Sequence, residues 1–143
     1  VADAIDQVCR EQQGATLQQM ATALITAFLQ AKMTDVKTSA ALYSVSSDID
    51  GAKIVAQMGT RMNQHIVEML TTARQPLIAD PQVVASVLQG AMAGISRRIL
   101  ESATPEKTLA VLRPQLIALV RAYLSTCAVP ENNQASGTTQ PGA

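Results

Sequence analysis

The stretch AKIVAQMGTRMNQHIVEMLTTAR, residues 52–74, is the most regular segment of the chain. Its apolar residues recur at alternating spacings of three and four, which is the spacing of one helix face. The stripe consists of Val55, Met58, Met62, His65 and Met69. A helix this long with one apolar face must pack against other elements, so the stretch predicts a helical protein with this helix lining its interior.

The composition around this stretch is apolar, neutral and poor in aromatic residues. Of the 143 residues, 48% are apolar, 15% charged and 2% aromatic, whereas about 25% are charged in an average soluble domain. Eleven basic residues balance eleven acidic ones, which excludes the basic surface of a nucleic-acid-binding or anionic-membrane-binding domain. The composition therefore predicts an all-α domain that buries part of its apolar surface against a partner.

Start and stop residues divide the chain into six predicted helices. Thr16 precedes the second, and the pairs Asp80-Pro81 and Thr104-Pro105 open the last two, each with an N-cap residue followed by proline at the first helical position. We predict a six-helix orthogonal or antiparallel bundle over residues 1–128, a kink or break before Pro114, and a flexible tail at residues 129–143. The predicted helices span about residues 1–14, 17–31, 35–47, 52–74, 81–102 and 105–124.

The last two predicted helices are too apolar for ordinary surface helices. No charged residue lies between Gln82 and Arg97, and Ser86, Gly90 and Gly94 follow one another at intervals of four. We predict that both helices pair with their copies in a second subunit to form a four-helix interface. The alternative is that they are the central helices of a monomer. The candidate interface residues are Val83, Val87, Gly90, Ala91, Gly94, Ile95, Leu112, Leu116, Val120 and Tyr123.

The methionine-rich stripe is the sharpest candidate for a ligand site. Methionine is flexible and polarisable, and therefore suits irregular apolar ligands, to which a histidine could add one polar contact. The candidate ligand-binding residues are Phe28, Tyr43, Met58, Met62, His65 and Met69. The alternative is an ordinary core face with a fully hydrogen-bonded histidine. Copper(I) would suit the same side chains, but one helix stripe cannot converge on an ion, so we predict no metal site.

Catalysis finds no support in the sequence, which has no HExxH motif, phosphate-binding glycine loop or Ser/His/Asp set at helical spacing. We predict that the protein is not an enzyme and binds no cofactor.

Cys9 and Cys127 are expected to be reduced, buried thiols. There is no signal-peptide pattern, and the weakly polar stretch 83–95 is too short for a bilayer, so we expect a cytoplasmic protein without membrane contact. Because the chain begins with Val1 in a helical pattern, we expect a segment upstream.

Several segments together resemble the C-terminal domain of TetR-family transcriptional regulators. They are ALITAFLQAK at residues 23–32, the short SAALY segment at 39–43, the long helix after residue 51, the glycine-containing helix after Asp80-Pro81, and LRPQLIALVRAYL at 112–124. The resemblance covers about residues 1–127. It implies an effector pocket between the helices and dimerisation through the last two long helices.

In that family, an N-terminal helix-turn-helix domain binds operator DNA, and this sequence contains no such domain. The resemblance therefore implies the sensing half of a repressor, which binds a small apolar or amphipathic effector and forms a homodimer. It would reach DNA only through the missing domain. The alternative function is a helical-bundle adaptor that binds another protein and no small ligand.

Overall fold

The computed structural model describes residues 1–35 and 49–129, and these residues form five helices without a named strand. The helices are α1 (Ala2–Glu11), α2 (Leu17–Thr34), α3 (Ile49–Thr71), α4 (Pro81–Glu101) and α5 (Pro105–Cys127). The all-α prediction is confirmed. The third of the six predicted helices, with Tyr43, lies outside the described residues, as does nearly all of the predicted tail.

Two of the predicted helix starts are built as the sequence indicated. The side chain of Thr16 accepts a hydrogen bond from the Gln19 backbone N–H, and the Gln19 side chain accepts one from the Thr16 backbone N–H. This reciprocal pair satisfies two backbone donors that the first turn of α2 leaves free. At α4, the Asp80 carboxylate accepts from the Gln82 N–H at 2.9 Å, with Pro81 at the first position. Local sequence thus determines both starts.

The start of α5 and its internal proline behave differently from expectation. The Thr104 side chain makes no cap hydrogen bond, and the Ser102 hydroxyl instead accepts from the Thr104 N–H at 3.1 Å. Further on, α5 continues through Pro114 without a break. Pro114 and Ala110 are both exposed, so water can satisfy the Ala110 carbonyl that the proline leaves without an intrahelical donor.

Helix α2 is the centre of the described fold. It packs against α1, α4 and α5, and less extensively against α3, and it contributes seven buried side chains to one continuous core. Helices α4 and α5 each bury only one face against this core. Within residues 1–35 and 49–129, the last two long helices are therefore not the fully enclosed centre of a monomer. The largest fully buried side chains are Ile5, Leu17, Met20, Leu24, Ile25, Leu29, Ile66, Met69, Leu70, Leu88, Met92 and Ile99.

The segment between α3 and α4 is hydrogen-bonded to the α1–α2 turn and to the end of α5. Gly14, whose φ of 78° suits glycine, donates its N–H to the Thr72 hydroxyl at 3.0 Å. At the other side of the segment, the Ile78 N–H donates to the Cys127 carbonyl at 2.7 Å. These bonds fix the α1–α2 turn and the end of α5 relative to α3 and α4.

Helix α4 is long and apolar enough to cross a membrane by length and composition, and 33% of its most apolar window is buried inside the chain. The stretch 83–95 that looked too short for a bilayer is only part of this helix, which continues to Glu101. One helix of this length and composition is weak evidence for a membrane span. Within the described residues, α4 packs against α2, α3 and α5.

Candidate effector site and dimer face

The single histidine joins α3 to α1. His65 follows Met62 and precedes Met69 on α3, and its Nδ1 lies 3.3 Å from Oδ1 of Asp6 on α1. The other oxygen of Asp6 accepts from Arg10, one turn later on α1. A second contact between the two helices pairs Arg61 with Asp3 at 3.7 Å. The polar side of the α1–α3 contact is thus a short series of charged and hydrogen-bonded pairs.

Only one nitrogen of the His65 imidazole has a polar neighbour, because Nδ1 lies within ion-pair distance of Asp6. Its Nε2 is buried, and no described residue offers it a hydrogen-bond partner. An unpaired buried acceptor costs about 1–3 kcal/mol. The alternative of a fully hydrogen-bonded core histidine does not account for Nε2 within the described residues.

The other predicted ligand residues lie at different depths. Phe28 and Met69 are buried in the core, and Met62 packs against it half-buried. Met58 lies on the exposed end of the stripe, and Tyr43 falls outside the described residues. The structure thus associates Phe28, Met62 and Met69 with one core, and separates Met58 from it. Lys32 places its ammonium 5.7 Å from the centre of the Phe28 ring.

The described residues line at least two depressions. An open one of about 300 Å³ is lined by Asp6, Cys9, Arg10, Gln13, His65 and Glu68. A crevice between α2, α4 and α5 is lined mostly by apolar side chains and is too narrow for water. The third predicted helix, which could line an effector pocket together with the second and fourth, lies outside the described ranges. Within those ranges, no group of three or more His, Cys, Asp or Glu residues could hold a metal ion.

Both cysteines are buried free thiols, as predicted. Cys9 lies on the inner side of α1, beside the His65–Asp6 pair. Burial, followed by the negative charges of Asp6 and Glu68, raises the pKa of the Cys9 thiol from 9.0 to about 12. Because thiolate is the reactive form, this cysteine is chemically inert in the folded protein.

We expect alkylation of Cys9 to require unfolding. In a Cys127→Ala variant, iodoacetamide should modify Cys9 at neutral pH far more slowly in buffer than in urea, as followed by intact mass. The folded-state pKa lies above the unfolded value, so the folded chain holds the proton more tightly. The resulting stability is complete below pH 9.0 and is lost as the pH rises towards 12. Equal alkylation rates in buffer and urea would contradict the burial of this thiol.

The predicted dimer-interface residues fall into three groups. Four lie on the exposed side of α4, namely Val83, Val87, Gly90 and Gly94. Four are half-buried at the edges of the two helices, namely Ala91, Ile95, Leu112 and Tyr123. The structure buries Leu116 and Val120 in the chain's own core, with 3% and 1% exposure. A partner could not reach those two side chains, because they already pack inside their own subunit.

The exposed face of α5 carries residues that the sequence did not single out for an interface. Val111 is 65% exposed and Leu119 57% exposed, with Ala118 and Ala122 also on the surface. The sequence feature that could have indicated this exposed apolar face is the absence of charged residues between Pro114 and Val120, on the inner and the outer side of the helix alike. Since Leu116 and Val120 face inward, Ala118 must lie on the opposite side, by the helical repeat.

The two glycines of α4 have no packing role within the described subunit. A Cβ built on Gly90 or Gly94 meets no atom within 4 Å. Glycine in a helix interior costs about 1 kcal/mol relative to alanine, and no close approach inside the described chain explains it. The surface that these glycines share with Val87 is thus apolar, flat and open.

Comparison with known proteins identifies the family. The description "Tetracyclin repressor-like, C-terminal domain" matches residues 16–124, from the N-cap of α2 to the last turn of α5. Neither a curated protein nor a solved structure matches the chain significantly. The match covers most of the sequence and includes every described helix except α1. The chain belongs to the family of TetR-like C-terminal domains, the ligand-binding and dimerisation domains of transcription regulators.

Proposed function

We propose that this domain is the sensing and dimerising part of a bacterial TetR-like repressor. It binds a small apolar or amphipathic effector, and through this binding controls an N-terminal DNA-binding domain that the sequence does not include. The observation that carries the proposal is the open apolar face of α4 and α5, in a chain that belongs to this family. The two halves of the proposal, dimerisation and effector binding, depend on different residues.

The proposed dimer face consists of the exposed sides of α4 and α5. On α4 it contains Val83, Ser86, Val87, Gly90 and Gly94, and on α5 it contains Val111, Ala118, Leu119 and Ala122. Except for Ser86, none of these residues has a polar side chain, and all of them are exposed in the subunit. Burying apolar surface contributes about 25 cal/mol per Å², so a two-fold contact between copies of this face removes unfavourable exposure from both subunits at once.

The glycines support a close helix–helix contact in that dimer. Residues four apart lie on one helix face, so Gly90 and Gly94 create a shallow groove along α4. A partner helix can approach such a groove more closely than it could approach a row of larger side chains. This contact gives a reason for two helix-interior glycines that face empty space in the subunit.

The proposed effector site lies on the inner side of α3, where this helix faces α2. Its walls are Phe28 of α2 and Met62 and Met69 of α3, and His65 supplies a polar group. Met58 and Tyr43 complete the candidate set given by the sequence. Flexible thioethers and one aromatic ring suit an apolar ligand body, whereas one buried nitrogen suits a single polar contact.

Thermal unfolding in the presence of small apolar and amphipathic compounds tests the effector half. A ligand that binds only the folded chain stabilises it by RT ln(1 + [L]/Kd), so the melting temperature rises with the logarithm of the ligand concentration once that exceeds Kd. We expect some of these compounds to raise the melting temperature of the native chain. They should not raise that of the Met62→Glu variant, which has a charge in the proposed site. Gln64→Glu, which adds the same charge at an exposed position of α3, is the matched control. Stabilisation that Met62→Glu leaves unchanged would place the ligand elsewhere.

A further inference from the structure

The buried Nε2 of His65 is the unexplained polar atom of the proposed effector site. Its partner nitrogen contacts Asp6, yet Nε2 itself has no hydrogen-bond partner among the described residues. We propose that Nε2 is a hydrogen-bond acceptor that selects effectors carrying an O–H or N–H donor, and that Asp6 positions it by fixing the tautomer. This inference rests on the proposed effector site and specifies the chemistry of its ligand.

The contact with Asp6 determines which ring nitrogen carries the proton. The Asp6 carboxylate is a negatively charged acceptor 3.3 Å from Nδ1, so it favours the tautomer that carries its proton on Nδ1. In a neutral imidazole the other nitrogen is then an acceptor with a free lone pair. Asp6 already accepts from Arg10 through its second oxygen, which holds the carboxylate in place on α1. The remaining charges at this contact, on Asp3, Arg61 and Glu68, lie on exposed side chains.

The helix face that carries His65 defines the rest of the ligand. Met62 and Met69 lie about one turn away on either side of His65, and Ile66 beside it is fully buried. A ligand that fits these neighbours has an apolar body and presents its donor to Nε2. An isomer without the donor leaves the acceptor unpaired, which corresponds to a loss of about tenfold or more in affinity. The ligand class is therefore an alcohol, phenol, amide or amine with an apolar body.

Nitrogen NMR on the 143-residue chain tests this directly, because the chain has a single histidine. Long-range proton–nitrogen spectra distinguish a protonated ring nitrogen from one with a free lone pair. In the free protein we expect the proton on Nδ1 and the lone pair on Nε2. The reverse tautomer, or rapid exchange between the two, would overturn the proposal without any ligand.

Two isomeric probes test the selection for a donor. 1-Octanol carries an O–H group, whereas heptyl methyl ether has the same atoms without a donor. We expect octanol to shift the Nε2 signal and to bind about tenfold or more tightly than the ether, with binding followed through the methionine methyl signals. Equal binding of both isomers with Nε2 unshifted would overturn this inference and leave the proposed function standing. Failure of both probes to move the methyl signals would count against the apolar site itself.

Two aspartate variants separate positioning from general structure. Asp6→Ala removes the acceptor at Nδ1, so we expect the tautomer to shift and the preference for octanol over the ether to disappear. Asp3→Ala removes a carboxylate from the same helix and breaks only the 3.7 Å contact with Arg61. It should leave the tautomer and the preference unchanged. An unaltered tautomer in Asp6→Ala would show that Asp6 does not position His65.

Discussion

A Gly94→Leu substitution should dissociate the dimer and leave the subunit folded. In the subunit, a Cβ at Gly94 meets no atom within 4 Å, so the exposed position has room for a larger side chain. Replacing a helix-interior glycine also favours the helix, by roughly 0.8–1 kcal/mol when the new residue is a good helix former. The subunit should therefore unfold at the same urea concentration as the native chain or a higher one, when both are compared as monomers.

In the dimer, the same leucine lies where the partner helix must approach. Inserting side-chain volume into a packed contact costs about 1–3 kcal/mol. Two-fold symmetry places the substitution twice in the interface, so the dissociation constant should rise by about 30-fold or more. Sedimentation equilibrium measures this constant, and urea unfolding checks the subunit.

Gly59→Leu is the matched control for this substitution. Gly59 lies inside helix α3, and a Cβ there also meets nothing within 4 Å. It is on a different helix from the proposed dimer face, so the variant should leave the dissociation constant unchanged. If Gly94→Leu kept the dimer intact, or if both leucine variants weakened it equally, the close approach at the α4 glycines would be refuted.

A Leu24→Ala substitution should have the largest effect on folding. Leu24 lies on α2, the central helix, and its side chain is fully buried in the core. Replacing a buried leucine by alanine removes its burial and leaves a cavity, at a cost of about 2–5 kcal/mol. That is a large part of the roughly 5–15 kcal/mol by which a domain is stable. We expect the urea midpoint of the variant to fall accordingly.

Leu100→Ala is the control for this loss. Leu100 lies near the end of α4 with a partly exposed side chain, so the same change removes less burial and creates no enclosed cavity. Its cost should be clearly smaller than that of Leu24→Ala when both are measured by urea unfolding. Equal costs would contradict the central position of α2 in the core.

The helix starts could be predicted from the sequence because local residues determine them. Thr16 and Asp80 make their cap hydrogen bonds to residues two or three positions later in the chain. The inward face of α5 could not be predicted in the same way. Leu116 and Leu119 lie three residues apart on one apolar stripe, and only the packing of α5 against α2 determines that the first is buried and the second exposed.

The candidate effector site shows the same division between local and distant information. The methionine stripe of α3 was visible as a repeat in the sequence, and Met62 and Met69 do pack against the core. The partner of His65 was not visible, because Asp6 is far away in sequence and no local pattern links the two. Only the packing of α1 against α3 brings them together. The unpaired Nε2 likewise depends on burial, which the pattern of residues does not reveal.

The mass of the native chain in solution tests the central claim most directly. We predict that sedimentation of the 143-residue chain gives a single species of twice the 15.1 kDa chain mass. Gly94→Leu should shift this species towards the mass of one chain under the same conditions. A native chain that sediments as one subunit at its highest soluble concentration would contradict the dimer.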